Sequence, residues 1–342
     1  MKNRFTVIWV FLFLFIAKHA QSQVTMSGGR GLLRVQSANV VAPADIYVNG
    51  IYSTYFEKIR PEKLATFHSI YLNGTVGLSH NLEFVLNLVP YLETQDLILG
   101  RLGDTQVALK YMLPLSSSFF QWGLQAFYKF PTAYEPNVRY EVFYTDKQAW
   151  GTRFLTTMDF VNVFASSPFK LIMNIGYLDH DISDDFFKSE IDQLLFGVGI
   201  KVPFHSNQIY LEYTGELFIN NHSDSLGFND NPTRVSLGMS FLGPKKLTMD
   251  IAGDVSLAKP IPWQQNDIGI FPKDVADWRV WFGATYRFSV YKYFDKSAKI
   301  AREKREQELR KLERIKKKRI RANRDIDKMR ELLKKKKPED DN

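Results

Sequence analysis

The residues most able to do chemistry in this 342-residue chain are histidines set beside hydroxyls and acids: His68-Ser69, Asp179-His180-Asp181 and His222-Ser223-Asp224. Such sets are the raw material of a hydrolase, which needs a base and a nucleophile in hydrogen-bond geometry together with an oxyanion site. His68-Ser69 fails on geometry, because it falls in a strand-like segment where sequence neighbours point to opposite faces. The other two sets lie in predicted loops without a surrounding motif, and polar loop chemistry is the plainer account. A hydrolase is therefore the third of three functions considered, and no enzyme is expected. Asp179, Asp181, Asp184 and Asp185 offer hard oxygens to a divalent cation, but their spacing does not match an EF-hand. They are loop-level metal candidates only. No metal is otherwise expected, and no cofactor. Gly28-Gly29-Arg30-Gly31 lacks the strand and helix context of a phosphate loop. With no cysteine in the chain there is neither a disulfide framework nor a lipidated N-terminal cysteine.

A second population of charged residues has regular spacing, and it shows what kind of element carries it. In Trp278 to Phe288, Val280, Phe282, Ala284, Tyr286 and Phe288 alternate with Arg279, Trp281, Gly283, Thr285 and Arg287. Period-two alternation separates the faces of a strand. A face of bulky apolar groups opposite one with two arginines suits a membrane barrel, with lipid outside and water or a polar plug inside. Twelve such segments are predicted: 46–56, 66–78, 82–92, 104–114, 119–130, 149–161, 169–178, 191–203, 208–219, 233–242, 247–257 and 278–288. Their faces agree. Leu82, Phe84, Leu86 and Leu88 oppose Glu83 and Asn87; Leu194, Phe196, Val198, Ile200 and Val202 oppose Gln193 and Lys201. Short connections (79–81, 115–118, 165–168, 205–207, 243–246) alternate with longer ones (57–65, 93–103, 131–148, 179–190, 220–232, 258–277). That is the asymmetry of short periplasmic turns and long outer loops. An even count places both barrel ends in the periplasm. Phe120, Phe160, Phe241 and Phe288 then fall at periplasmic ends, and Phe56, Phe130, Trp150 and Tyr177 at outer ends, as two aromatic girdles. A soluble β core using the same aromatics is the competing account. The export signal, the face polarity and the alternating connections weigh against it.

The flanks differ from the body. Lys2 and Arg4 precede an apolar run, Val7 to Ala17, and then Ala20-Gln21-Ser22, the pattern of a secretory signal peptide cleaved after Ser22. The run is too short to span a bilayer, and the chain has no other run of about 18 apolar residues. Residues 23–45 read as a periplasmic arm, part of which could enter the barrel as a plug. Residues 289–342 hold 21 Lys and Arg against 11 Asp and Glu, a net of +10, whereas residues 23–288 sum to −5. The basic character belongs to the tail. From Asp295 to Lys337 the tail has no Pro or Gly and should be helical. Its apolar positions form only a broken seam, so self-association is not compelled. A cationic periplasmic helix would suit an anionic partner, such as peptidoglycan carboxylates or an acidic periplasmic protein; a merely solvated helix is the other reading. The export signal argues against nucleic acid.

With these features in view, the chain resembles a Gram-negative outer-membrane β-barrel over 46–288. The fold class expected is all-β, a transmembrane antiparallel up-and-down barrel of about twelve strands with a C-terminal helix. The closing WRVWFGATYRF resembles the final-strand signal read by the barrel-insertion machinery, with Tyr286 and Phe288 in the aromatic positions. GDTQVALKYMLPL, Gly103 to Leu115, is similar to a strand of the phenol-degradation (MetA-type) transporter barrels. Phe288 is not the chain terminus, which departs from the commonest pattern. The resemblance implies contact with outer-membrane lipid and lipopolysaccharide.

Inward-facing candidates are Lys110, Lys129, Arg153, Lys170 and Lys201 on the middle strands, Glu212, Glu216, Asp250 and Asp254 on later ones, and Arg279 and Arg287 on the last. A basic wall facing an acidic wall would set a transverse field across a narrow lumen. That favours a passive pore or transporter for small polar solutes. If the same groups pair, the lumen closes, and a structural barrel tethered through its basic tail is the alternative. A twelve-stranded barrel lies between plugged small barrels and open porins.

Overall fold

The computed structural model describes residues 23–60, 63–93, 100–133, 147–160, 169–183, 187–204, 207–222, 227–243, 246–258, 275–289, 303–308, 313, 316–317 and 328–329. Twelve strands follow one another: β1 Asp45–Arg60, β2 Lys63–Gly77, β3 Leu82–Leu92, β4 Thr105–Met112, β5 Phe120–Phe130, β6 Ala149–Asp159, β7 Lys170–Ser183, β8 Glu190–Phe204, β9 Asn207–Phe218, β10 Thr233–Leu242, β11 Leu247–Ser256 and β12 Trp278–Ser289. Each pairs antiparallel with its sequence neighbours. β12 closes on β1 in the register Asp45↔Ser289 to Thr54↔Val280, and the sheet has no free edge. Closure satisfies every strand's backbone groups from within, which is what permits β structure in hydrocarbon.

Alternation along each strand separates two environments. On β12, Arg279, Trp281 and Thr285 are buried, while Phe282, Tyr286 and Phe288 are exposed on the outside. The same parity leaves Leu109, Leu124, Ile175, Ile200, Leu211, Leu237 and Met249 outside. Such an apolar exterior would be an aggregation hazard in water and is the expected lipid face of a membrane barrel. Aromatic pairs gather at both rims. At the short-turn end Phe160 stacks on Phe169 with centroids 4.3 Å apart, and Tyr286 meets Phe288 edge-on at 4.6 Å. At the opposite end Phe56 stacks on Trp278 (5.7 Å), Tyr128 meets Phe130 (4.8 Å) and Trp150 meets Tyr177 (5.9 Å).

Two expected long connections are shorter. β1 and β2 pair as far as Arg60↔Lys63, with a register shift at Lys58/Arg60, and only residues 61–62 lie between them. β7 continues to Ser183, which pairs with Glu190 past a second irregularity after Asp179. Asp179, His180 and Asp181 are therefore strand residues. In both places hairpin pairing extends beyond the apolar stretch that marked the strand in sequence. The predicted signal peptide lies outside the described residues, as do the connection 165–168 and the acids Asp184 and Asp185. Residues 303–308 of the tail are helical, as are the described positions 313, 316–317 and 328–329.

Candidate functional site

The lumen is occupied by residues 23–44, a segment with little regular structure folded back on itself. Gly28 and Gly29 have φ of 81° and 76°, in the left-handed region where a side chain is strained. They close a tight turn in which the Gly28 amide donates to Thr25 O (2.9 Å) and the Thr25 amide to Gly29 O (2.8 Å). Beyond the turn Leu32, Leu33 and Val35 are buried among inward-facing barrel residues, including Tyr71, Val89, Ile172, Tyr210 and Trp281. This apolar core lies inside the barrel. The wall makes room for it with glycines: a Cβ on Gly199 of β8 would lie 2.3 Å from Leu32 Cδ1, and one on Gly197 would lie 3.0 Å from Val35 Cγ2.

Polar wall groups hold the segment's backbone. The Glu212 carboxylate on β9 accepts from the amides of Arg34 (3.0 and 3.1 Å) and Val35 (3.1 Å). Asn174 on β7 pairs reciprocally with Gln36, amide to Oδ1 and Nδ2 to carbonyl, each at 2.7 Å. Thr157 on β6 accepts from the Ala38 amide (3.0 Å), and Glu83 on β3 from the Val41 amide (2.7 Å). Asn49, Asn73 and Asn87, on three adjacent strands, form a hydrogen-bonded ladder whose last member donates to Met26 O at 2.8 Å. A buried segment without secondary structure must find such partners, and here the barrel wall supplies them.

The predicted inward residues all face the lumen, but their charges are sorted differently from two opposed walls. Lys110 forms a 2.6 Å ion pair with Glu83, both side chains fully buried, and also donates to Ser37 O. Lys170 pairs with Asp159 at 2.5 Å. Arg287 pairs with Asp45 at 2.6 Å. Asp254 pairs with the Arg34 guanidinium, lies 3.8 Å from Arg234, and is the cross-strand partner of Arg279. Trp281 is flanked by the guanidinium groups of Arg34 (5.1 Å) and Arg279 (5.4 Å). Lys201 stands across from Lys170 in register, and its opposite charge is Asp250. Asp250, Tyr210 and Trp281 border a small cavity of about 10 Å³, roughly the space of one water. Most lumen charge is thus neutralised by neighbours or by the segment, because a buried charge left alone is costly.

Three predicted residues are sorted otherwise. Lys129, Arg153 and Glu216 border a cavity of about 130 Å³ in the half of the lumen nearer the long connections, with Arg34, Met26 and Ser27 of the segment at one side. Arg153 lies 4.5 Å over the Phe127 ring and reaches Gln125 at 3.4 Å. Among the described residues neither Lys129 nor Glu216 makes a side-chain ion pair within 4.0 Å.

The other predicted sets do not assemble into a site. The Tyr52 hydroxyl meets His68 Nδ1 (2.6 Å) on the outer face, whereas Ser69 meets Ser53 (2.8 Å) inside. His180 is buried with Nε2 against Gln193 Oε1 at 2.9 Å. Asp179 and Asp181 share the opposite face, and Asp179 Oδ1 accepts the Asp181 amide. Among the described residues no three metal-ligating side chains cluster. Ser223 and Asp224 lie outside the described residues. Glu83 was legible from strand parity, and Asn87 with it. Arg34 was not, because it lies in a segment without periodicity; parity placed Trp281 inward, but an indole on a polar face carries no label of its role.

Fold and faces together define an outer-membrane β-barrel, here with a lumen partly filled by its own N-terminal segment. No family model and no curated protein matches the chain. Similar solved structures include the NanC porin, with a TM-score of 0.48 at 8% identity, covering 70% of this chain and 98% of the porin. An outer membrane channel from Pseudomonas putida F1 gives 0.48 at 12% identity, covering 73% of this chain and 98% of the channel. The KdgM porin gives 0.43 at 10%, covering 70% and 99%.

Proposed function

We propose that the protein is a passive outer-membrane pore for small polar solutes, whose N-terminal segment acts as a removable stopper. The observation that carries this reading is the contrast within one lumen. Where the segment sits, most charges are ion-paired or hydrogen-bonded, Lys201 and Asp250 excepted; beside it, Lys129, Arg153 and Glu216 line open space. A purely structural barrel gains nothing from lumen charges held apart across open space, which cost stability. The segment is joined to the wall by the chain only at β1, and its remaining attachments are non-covalent. On this reading the long connections face outward, the short turns face the periplasm, and the stopper enters from the periplasmic side.

Planar-bilayer recording tests it. The full protein is expected to show rare, discrete openings, and a form lacking residues 24–41 frequent ones whose size changes in Lys129→Met. A folded barrel that stays silent in both forms overturns the pore. The many hydrogen bonds on the segment favour a second reading, a permanently closed barrel, which that silence would support.

Two further assignments belong to the same proposal. Tyr286 and Phe288, outward at the end of the last strand, serve as the signal for the barrel-insertion machinery. The net charge of +10 on residues 289–342 makes the tail a cationic periplasmic arm for an anionic partner such as peptidoglycan. Loss of peptidoglycan co-sedimentation when 291–342 are deleted would support that role, and unchanged co-sedimentation would remove it.

A further inference from the structure

The cavity beside the stopper has a composition that selects its ligand. Its charged border holds two cations, Lys129 and Arg153, and two carboxylates, Glu216 and Asp104. The third cation there, Arg34, is already paired with Asp254. The Lys129 ammonium feels both carboxylates, and the Arg153 guanidinium feels Glu216. Asp104 is held in place by accepting the Ala133 amide at 3.1 Å. The rest of the border is mixed, with the amides of Asn87 and Gln106 beside an apolar stretch of Tyr71, Val89, Leu178 and Leu195.

Charge balance decides between ligand classes. An anion would gain from the two cations but would be repelled by the carboxylates, and a cation would meet the reverse. A solute carrying both charges answers both sets, while an apolar branch replaces water against the apolar wall. Size narrows the class further. An engineered cavity of about 150 Å³ takes benzene, with its six carbons, so the 130 Å³ here suits about five or six non-hydrogen atoms.

We propose that this cavity is a binding site for a small zwitterion, a free amino acid with a short apolar side chain, with its carboxylate toward Lys129 and Arg153 and its ammonium toward Glu216. The site rests on the pore reading only for the route by which solute arrives. Lys129 and Glu216 are both free to turn onto such a ligand, because neither is committed to an ion pair among the described residues. Arg153, stacked on Phe127, supplies a positioned planar donor.

Calorimetric titration of the full-length protein in detergent micelles with L-alanine tests the site, alongside propionate, which lacks the ammonium, and ethylamine, which lacks the carboxylate. Alanine is expected to bind saturably, and each one-charge analogue about tenfold or more weaker. Lys129→Met and Glu216→Gln should each weaken alanine by a similar factor; if one fails to fold, judged by heat-modifiable gel mobility, the other carries the test. Absence of saturable alanine binding by folded protein overturns the site. So does propionate binding as tightly as alanine and indifferent to Glu216→Gln, which would mark an anion site. Bilayer conductance separates this from the pore reading: a conducting barrel that ignores alanine loses only the site, and a silent barrel that binds alanine loses only the pore.

Discussion

The guanidinium of Arg34, in the N-terminal segment, is ion-paired with Asp254 on β11, while the backbone amide of the same residue donates to Glu212 on β9. One residue thus binds two strands, by side chain and by main chain. The segment is fastened to the wall here, and the fastening uses charge.

Loosening it should open the lumen. Glu212→Gln keeps the shape but weakens the charge-assisted hydrogen bonds from two backbone amides, Arg34 (shared between both oxygens) and Val35, each worth about 1.5–3 kcal/mol when the acceptor is charged. More frequent openings in planar bilayers are expected, and more frequent still in Arg34→Ala with Glu212→Gln. Unchanged opening in both would show that the segment is not the stopper.

The fit of Leu32 to Gly199 should matter as much as charge. A Cβ at Gly199 would lie 2.3 Å from Leu32 Cδ1 and 3.3 Å from Glu212 Cβ, with Leu32 fully buried and unable to retreat. Gly199→Val should therefore expose the segment to trypsin at Arg30 and Arg34, where the native protein is expected to resist. Adding Leu32→Ala should restore resistance in part, since it removes the colliding methyl group. Peptide sequencing after limited digestion reads both outcomes.

Breaking the Glu83–Lys110 pair should cost stability. Both side chains are fully buried, so Lys110→Met leaves an uncompensated carboxylate, and a loss of about 3–5 kcal/mol is expected. The double variant Glu83→Gln with Lys110→Met should recover part of that loss. Equilibrium denaturation in micelles measures each. Additive losses would show that the two groups do not stabilise each other.

The lipid face makes a depth-dependent prediction. Leu211, exposed near the middle of β9, should cost about 2–4 kcal/mol when changed to Arg, whereas Phe288→Arg at the rim should cost about 0–1 kcal/mol. Folding equilibria into lipid vesicles compare them. Equal penalties would mean that the exterior does not lie against hydrocarbon as its parity indicates.

Much of the architecture was legible before any coordinates. Parity alone assigned Phe282 outward and Arg279 inward, because side chains on a strand alternate whatever the surroundings. The expected segments 233–242 and 247–257 match β10 and β11 to within a residue, since turn residues and apolar alternation both end there. Parity cannot tell where pairing outruns the membrane. Arg60↔Lys63 and Ser183↔Glu190 pair beyond the apolar stretch, so Asp179 and Asp181 read as loop and proved to be strand.

The sequence by itself determined the two faces and the identity of the inward charges, because those follow from a local period of two, and brought the strand count to about twelve. Only the tertiary structure decided which charges are spent. Lys110 finds Glu83 one strand away, Asp254 finds Arg34 from a stretch 220 positions distant, and Lys129 makes no ion pair within 4.0 Å among the described residues. Closure brings those groups together, and the Gly-rich segment, with no periodicity to mark its place, takes its conformation from the wall that surrounds it.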